Sequence, residues 1–199
     1  MPGSFRLVHY PCIEHVDVMT LARLIDNRIV VWDIKDSRSI FGTGYYGKPL
    51  GVPKPKGTDF DAPLVLDLIE GYFLAEKGKL DLVRPEGKAV PLADIKRICR
   101  KQYSDFDTKY AVFRDLRERG YIVTPGIKFG CDFAVYERGP GIDHAPYLVQ
   151  VYRDGDMLTA TGIVLAGRLA TTVKKQFILA IPRVKAGKID YVGFDWWRA

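Results

Sequence analysis

Three side chains, Tyr136, His144 and Lys175, each fall where the sequence pattern passes from one element to another. Tyr136 closes the strand-like run CDFAVYE, His144 precedes the alternating run YLVQVYR, and Lys175 stands between a helical stretch and the apolar QFILAIP. Side chains at the ends of rigid elements are where sites are usually built. The set contains no carboxylate, which makes it a poor metal site. It does hold what transphosphorylation requires: a base for a 2′-hydroxyl, an acid for the leaving 5′-oxygen, and a cation for the pentavalent charge. Taken singly, each residue has an ordinary structural explanation, so type and position alone do not select the reaction.

The stretch YERGPGIDHAPYLVQVY (136–152) places Gly139, Pro140 and Gly141 between Tyr136 and His144. A hairpin-like connection of this kind brings the ends of two adjacent strands together. Upstream, SDFDTKYAVFRDLRERG carries Phe106, Tyr110, Phe113 and Leu116 at helical spacing, with Gly120 as the stop. Strand-like runs follow at 121–123, 131–137 and 147–153. A helix is expected from about Thr161 to Lys174, then the runs QFILAIP (176–182) and IDYVGFDWW (189–197). Helix, strands, helix and strands within about 95 residues predict a compact α/β unit with a mixed sheet.

The N-terminal part reads as a smaller mixed α+β unit. RIVVWD (28–33) has the look of a strand, and GYYGKPLGVPKPKG (44–57) that of a loop broken by glycine and proline. APLVLDLIEGYFLAEKG (62–78) is expected to be helical, with Pro63 in its first turn and Leu64, Leu68 and Tyr72 on one face. A basic helix, LADIKRICRKQ (92–102), leads out of the unit. The fold class is therefore α/β, with domains at 1–103 and 104–199.

Composition narrows the partners. The 199 residues carry 30 Lys+Arg against 24 Asp+Glu, a net charge of +6, with 15 basic against 11 acidic residues from position 101 onward. That balance favours a polyanionic partner without proving one. No run approaches 18 consecutive apolar residues and MPGSFRLVHYPC lacks a signal-peptide core, so no membrane partner is expected. Cys12, Cys99 and Cys131 are few, odd in number and far apart, as suits an intracellular, cytoplasmic protein without a disulfide framework.

The segment YERGPGIDHAPYLV fits Y-x2-G-P-x3-H-A-x-Y-x-V. With KYAVFRDLRERGYIVTPGIKFGCDFAVY before it and TTVKKQFILAI after it, the chain resembles the archaeal tRNA-splicing (tRNA-intron) endonucleases across residues 104–199. VVWD, FGTGYYGKP and LIEGYFLAEKGKL look like that family's N-terminal domain. The resemblance implies a metal-independent endoribonuclease without a cofactor. Such an enzyme excises introns from precursor tRNA at bulge-helix-bulge motifs, leaving 2′,3′-cyclic phosphate and 5′-hydroxyl ends. It further implies Tyr136 as general base, His144 as general acid and Lys175 (with Lys174 its neighbouring alternative) as the cation that stabilises the transition state. A phenol of pKa ~10 acts as a base at neutral pH only if cations lower that value, which Lys175 could do.

By the same resemblance, Arg168 matches an arginine that stacks on an extruded bulge base, and Trp196 (or adjacent Trp197) matches its partner. An arginine and a tryptophan hold any base by cation–π and stacking contacts, which suits recognition by shape. Arg168 precedes Lys175 by seven residues, two helical turns on nearly one face. Lys48, Lys54 and Lys56, on the proline-stiffened loop, look like a basic insertion that grips RNA in some family members. His9, Cys12, Glu14 and His15 in HYPCIEH have metal-like types, but no second cluster completes a site.

The runner-up is a non-catalytic RNA-binding subunit of the same assembly, against which all three triad residues are present. A carboxylate-and-metal nuclease ranks lower, because Asp132 has no matching acidic partner strand. One chain holds one triad while the substrate has two cut sites, so a two-fold assembly is expected. It would be a heterotetramer of two catalytic and two structural chains, or else a homotetramer. The apolar IDYVGFDWW would pair with its equivalent in another chain. RDGDMLTATG (153–162), with Asp154 and Asp156, occupies the place of the loop by which the family docks to a neighbouring subunit.

Overall fold

The computed structural model describes residues 19–53, 55, 57–142, 145–172, 174–183 and 186–194. The first sheet starts from a hairpin. β1 (Thr20–Ile25) and β2 (Arg28–Val31) pair antiparallel through Asp26–Asn27, with Asp26 at φ 50° as a tight two-residue turn requires. Helix α1 (Ile34–Gly42) follows, started by the Asp33 carboxylate, which accepts from the amide of Asp36 at 2.9 Å. β3 (Lys48–Pro49), β4 (Leu64–Leu66) and β5 (Leu80–Val83) complete a sheet of order β3-β4-β2-β1-β5, in which β5 runs parallel to β1.

The expected helix over 62–78 is thus two elements. Leu64–Leu66 alternates buried and half-buried and pairs with β2, and helix α2 (Leu68–Glu76) begins only after it. The reason is a capping box. Asp67 accepts from the amide of Ile69 at 3.1 Å, and Glu70 returns the bond by accepting from the amide of Asp67 at 2.9 Å. Pro63 therefore ends a loop rather than opening a helix. The proline loop also holds a short regular element, since Lys48 and Pro49 pair with Val65 and Leu64. Helix α3 (Leu92–Gln102) lies where its pattern predicts.

In the second half, helix α4 (Phe106–Glu118) precedes β6 (Ile122–Pro125), a single 3₁₀ turn (Ile127–Phe129), β7 (Phe133–Tyr136) and β8 (Tyr147–Val151). Helix α5 (Ala160–Thr172) then crosses over to β9 (Gln176–Arg183), and β10 (Lys188–Phe194) closes the order β10-β9-β8-β7-β6. All pairs are antiparallel except β8 with β9, and that parallel pair is the one joined by a helix. The mixed sheet is as the sequence pattern predicts.

One apolar core runs through both halves, from Ile29, Leu64 and Leu74 through Phe106 and Phe113 to Val123, Val135 and Val149. A smaller cluster covers the opposite face of the second sheet and contains Cys131, Ala134, Ala145, Leu148, Phe177 and Leu179. The candidate chemistry lies on this second face.

Candidate active site

Strand register fixes where Tyr136 points. Val135 pairs with Tyr147, and Tyr147 pairs with Gln176, so these three share a row across β7, β8 and β9. Val135 and Tyr147 pack into the large core. Side chains alternate along a strand, so Tyr136, one position on, faces the other way. It packs there against the smaller cluster.

Lys175 reaches the same face by a different route. Helix α5 ends at Thr172, and Lys174 adopts the left-handed conformation at φ 54°, which turns the chain into β9. The ammonium of Lys175 lies 5.4 Å from the centre of the Phe129 ring and donates to the carbonyl oxygen of Ala145 at 2.5 Å. The next amide, Gln176, donates to Pro146 O at 2.8 Å and continues the β8–β9 ladder. By this register β7 and β9 flank β8, so the backbones at Tyr136 and Lys175 lie two strand spacings apart, roughly 10 Å. This geometry corrects one sequence argument: Lys175 lies beyond the helix end, so it and Arg168 do not share a helical face.

The turn between them is built on glycine. Gly139 and Gly141 have φ of +128° and +90°, and the amide of Ile142 donates to Gly139 O at 3.1 Å. His144 lies outside the described residues, as do Trp196, Lys54, Lys56 and the HYPCIEH segment. Ala145, the next residue after His144, is buried in the smaller cluster and is the one that accepts from Lys175.

Arg168 is exposed on α5, and its carbonyl accepts from the Thr172 hydroxyl at 2.9 Å. Lys48 is exposed on β3, at the rim of a cleft of about 680 Å³ between the two sheets that Arg28, Asp67, Glu70, Thr124 and Pro125 also line. Lys48 is therefore placed with the first sheet's edge and not with Tyr136 and Lys175. Asp132, the only carboxylate considered for metal chemistry near Tyr136, is already engaged. It accepts from the amide of Val151 and from Gln150 Nε2, both at 2.8 Å, and pairs with Lys109 at 2.8 Å. No cluster of three His, Cys, Asp or Glu suited to a metal exists among the described residues.

Other titratable groups nearby are poor catalysts. Burial raises the phenols of Tyr121 and Tyr147, with nearby Glu137 adding to the effect, and pushes the Cys131 thiol up to about 11. Both acids of the loop after β8 are paired: Asp154 with Arg183 of β9, and Asp156 with Arg153, from whose amide it accepts at 2.8 Å. Met157 beside them is 91% exposed. β10 is an edge strand of its sheet. No helix among the described residues is long and apolar enough to cross a membrane.

Three residues around the site carry no sequence signal of their own. Phe129 supplies the ring beneath Lys175. Arg117, buried at the end of α4, donates to Gly44 O at 2.6 Å and Val123 O at 2.8 Å and stacks over Tyr46 at 4.1 Å. Tyr45, in the loop after α1, touches Gly139. In the sequence they read as one more core aromatic, one more basic helix residue and one more loop tyrosine.

Comparison with known proteins bears on what this arrangement does. The family model for the catalytic C-terminal domain of tRNA intron endonuclease matches residues 106–191, and that for its N-terminal domain matches residues 20–96. The tRNA-splicing endonuclease of Hyperthermus butylicus is 47% identical over 89% of the chain and 98% of its own length. Those of Sulfurisphaera tokodaii and Saccharolobus solfataricus are 41% and 37% identical, over 88% and 89% of the chain and 98% of each relative.

Proposed function

The chain belongs to the tRNA intron endonuclease family, and we propose that it cuts precursor tRNA at bulge-helix-bulge motifs by metal-independent transphosphorylation in the cytoplasm, with Tyr136, His144 and Lys175 as its catalytic residues. The observation that carries this reading is the Lys175–Ala145 hydrogen bond. It draws a cation to the residue next to position 144 on the face of the sheet that Tyr136 shares.

The chemistry follows from charge and proton inventory. Tyr136 removes the proton from the 2′-hydroxyl as that oxygen attacks the adjacent phosphorus. His144 protonates the departing 5′-oxygen. The products are a 2′,3′-cyclic phosphate and a 5′-hydroxyl, and atoms balance without water. Negative charge accumulates on the non-bridging oxygens of the pentavalent phosphorus, where an ammonium with three N–H donors stabilises it. The apolar setting of Lys175 against Phe129 strengthens that attraction over its value in water.

Arg168, exposed on α5, and Trp196 hold an extruded bulge base, and Lys48, Lys54 and Lys56 supply basic charge toward the RNA. The catalytic chain works in an assembly, two copies with two structural chains of the same fold, or four copies. The edge strand β10 and the protruding loop with Asp154, Asp156 and Met157 support that reading. The domains divide near residue 103, between α3 and α4.

Single-turnover cleavage of a bulge-helix-bulge RNA by Tyr136→Phe and His144→Ala tests the assignment. Each is expected to slow cleavage by ~10²–10⁴ with binding nearly intact. Near-parental rates in either variant remove that residue from the mechanism.

A further inference from the structure

The loop that follows α1 reaches across to the turn between β7 and β8. At the end of α1 the chain reverses at once, with the amide of Thr43 donating to Ser39 O at 3.1 Å and that of Tyr45 to Phe41 O at 2.7 Å. The reversal holds Tyr45 at φ +55°, the left-handed conformation that glycine or asparagine adopts with least strain. A bulky residue kept in that conformation needs surroundings that over-determine it, and such strain gathers at functional sites.

The neighbours of Tyr45 provide those surroundings. Gly44 O accepts from buried Arg117 at 2.6 Å, and the Arg117 guanidinium stacks 4.1 Å from the Tyr46 ring. The amide of Gly47 donates to buried Glu70 at 3.1 Å. Tyr45 is therefore flanked on both sides by backbone or rings fixed to a buried ionisable side chain. Its own ring meets Phe41 edge-on, with centroids 5.2 Å apart.

The outer part of that ring lies on Gly139. A Cβ added to Gly139 would come within 2.6 Å of Tyr45 Cε2 and within 2.8 and 2.9 Å of Cδ2 and Cζ. A side chain at 139 is excluded twice, by this contact and by the φ of +128°. The same loop meets the turn again further on, where Pro55 O lies 3.6 Å from the Cβ position of Gly141. At its other end the connection is held by Lys175 through Ala145 O.

We propose that Tyr45 is a positioning residue for the reaction: its ring presses on Gly139 and sets the backbone of the turn that follows Tyr136, over residues 137–142. The inference rests on the catalytic reading of Tyr136 and His144 given above. It makes the N-terminal domain part of the catalytic apparatus of its own chain, because a residue of that domain fixes one end of the connection while Lys175 fixes the other. Misplacing a catalytic group by about an ångström is enough to slow a reaction by ~10²-fold, so a ring that sets the turn matters without touching RNA.

The test uses Tyr45→Gly, Tyr45→Phe and His144→Ala in the intact assembly, with single-turnover cleavage and RNA affinity measured separately on a bulge-helix-bulge RNA. Glycine relieves the backbone strain at this position, so the variant is expected to fold. Tyr45→Gly should slow cleavage by ~10–100-fold at saturating enzyme with the Kd for RNA unchanged, and Tyr45→Phe, which keeps the ring, should restore the rate. Parental cleavage by Tyr45→Gly alongside a slow His144→Ala overturns the positioning role and leaves the catalytic reading standing. Weaker RNA binding by Tyr45→Gly with a parental rate at saturation also overturns it, making Tyr45 an RNA contact. A parental rate in His144→Ala overturns the reading on which the inference rests.

Discussion

The ammonium of Lys175 donates to the carbonyl oxygen of Ala145 at 2.5 Å, tying the start of β9 to the end of the turn that follows Tyr136. The contact crosses from one strand to its parallel neighbour and joins residues 30 positions apart in the chain. It keeps a long, flexible side chain in one place against the Phe129 ring.

Lys175→Ala should therefore lower the single-turnover rate by ~10²–10³, the cost of removing a preorganised charge from the transition state. Lys175→Arg keeps the charge but changes its shape and reach, and should recover only part of the loss. Binding of RNA at saturating enzyme should be little changed in both. A Lys175→Ala protein that cuts at the parental rate would transfer the role to another cation, Lys174 first.

On the proposed reading, recognition separates from chemistry at Arg168 and Trp196. Stacking on a base is worth ~1–3 kcal/mol, so Arg168→Ala or Trp196→Ala should reduce cleavage of bulged RNA by about ten- to a hundredfold. For Trp196→Ala the salt dependence of binding should stay as in the parent, since no phosphate contact is lost. Changing Lys54 and Lys56 together to Ala should instead flatten the salt slope and weaken all RNAs alike. Titrations of bulged and unbulged RNA at several salt concentrations distinguish the two patterns.

Glu70 makes the fold's stability respond to pH. Burial pushes its carboxyl up from 4.5 to about 7, against the opposing pull of Arg117 and of the amides of Asp67 and Gly47. A carboxyl with a folded pKa above its unfolded value binds its proton more tightly in the fold. Its contribution is full below about pH 4.5 and is lost as pH rises through about 7. The unfolding free energy of the parent minus that of Glu70→Gln should consequently fall between these two values. A difference that stays flat or rises across that window contradicts the assignment.

The second domain was almost wholly legible, because its helices and strands are long enough for periodicity to separate them. Phe106, Tyr110, Phe113 and Leu116 mark α4, and every strand run from β6 to β10 lies where its pattern places it. The first domain was legible only in part: β1, α1 and β5 were not anticipated, and β3 and β4 are too short to read by pattern. Leu64–Leu66 is too short for alternation to be told from one turn of a helix, although Asp67 and Glu70 spelled out the capping box that starts α2. β3 has only two residues, and what makes it a strand is pairing with β4. At the candidate site, Tyr136 and Lys175 could be picked out from their places at strand ends, and the family resemblance implied the roles proposed for them. Tyr45 could not, since nothing local announces a tyrosine held in left-handed backbone. Nor could the end of α5, where Lys174 at φ 54° breaks the helical phase assumed between Arg168 and Lys175.

The central claim is metal-independent transphosphorylation, and end-group analysis of a bulge-helix-bulge RNA cleaved in excess EDTA tests it most directly. The account predicts an unimpaired rate and products bearing only 2′,3′-cyclic phosphate and 5′-hydroxyl ends. Cleavage that requires added Mg²⁺, or that leaves 5′-phosphate and 3′-hydroxyl ends, would contradict it.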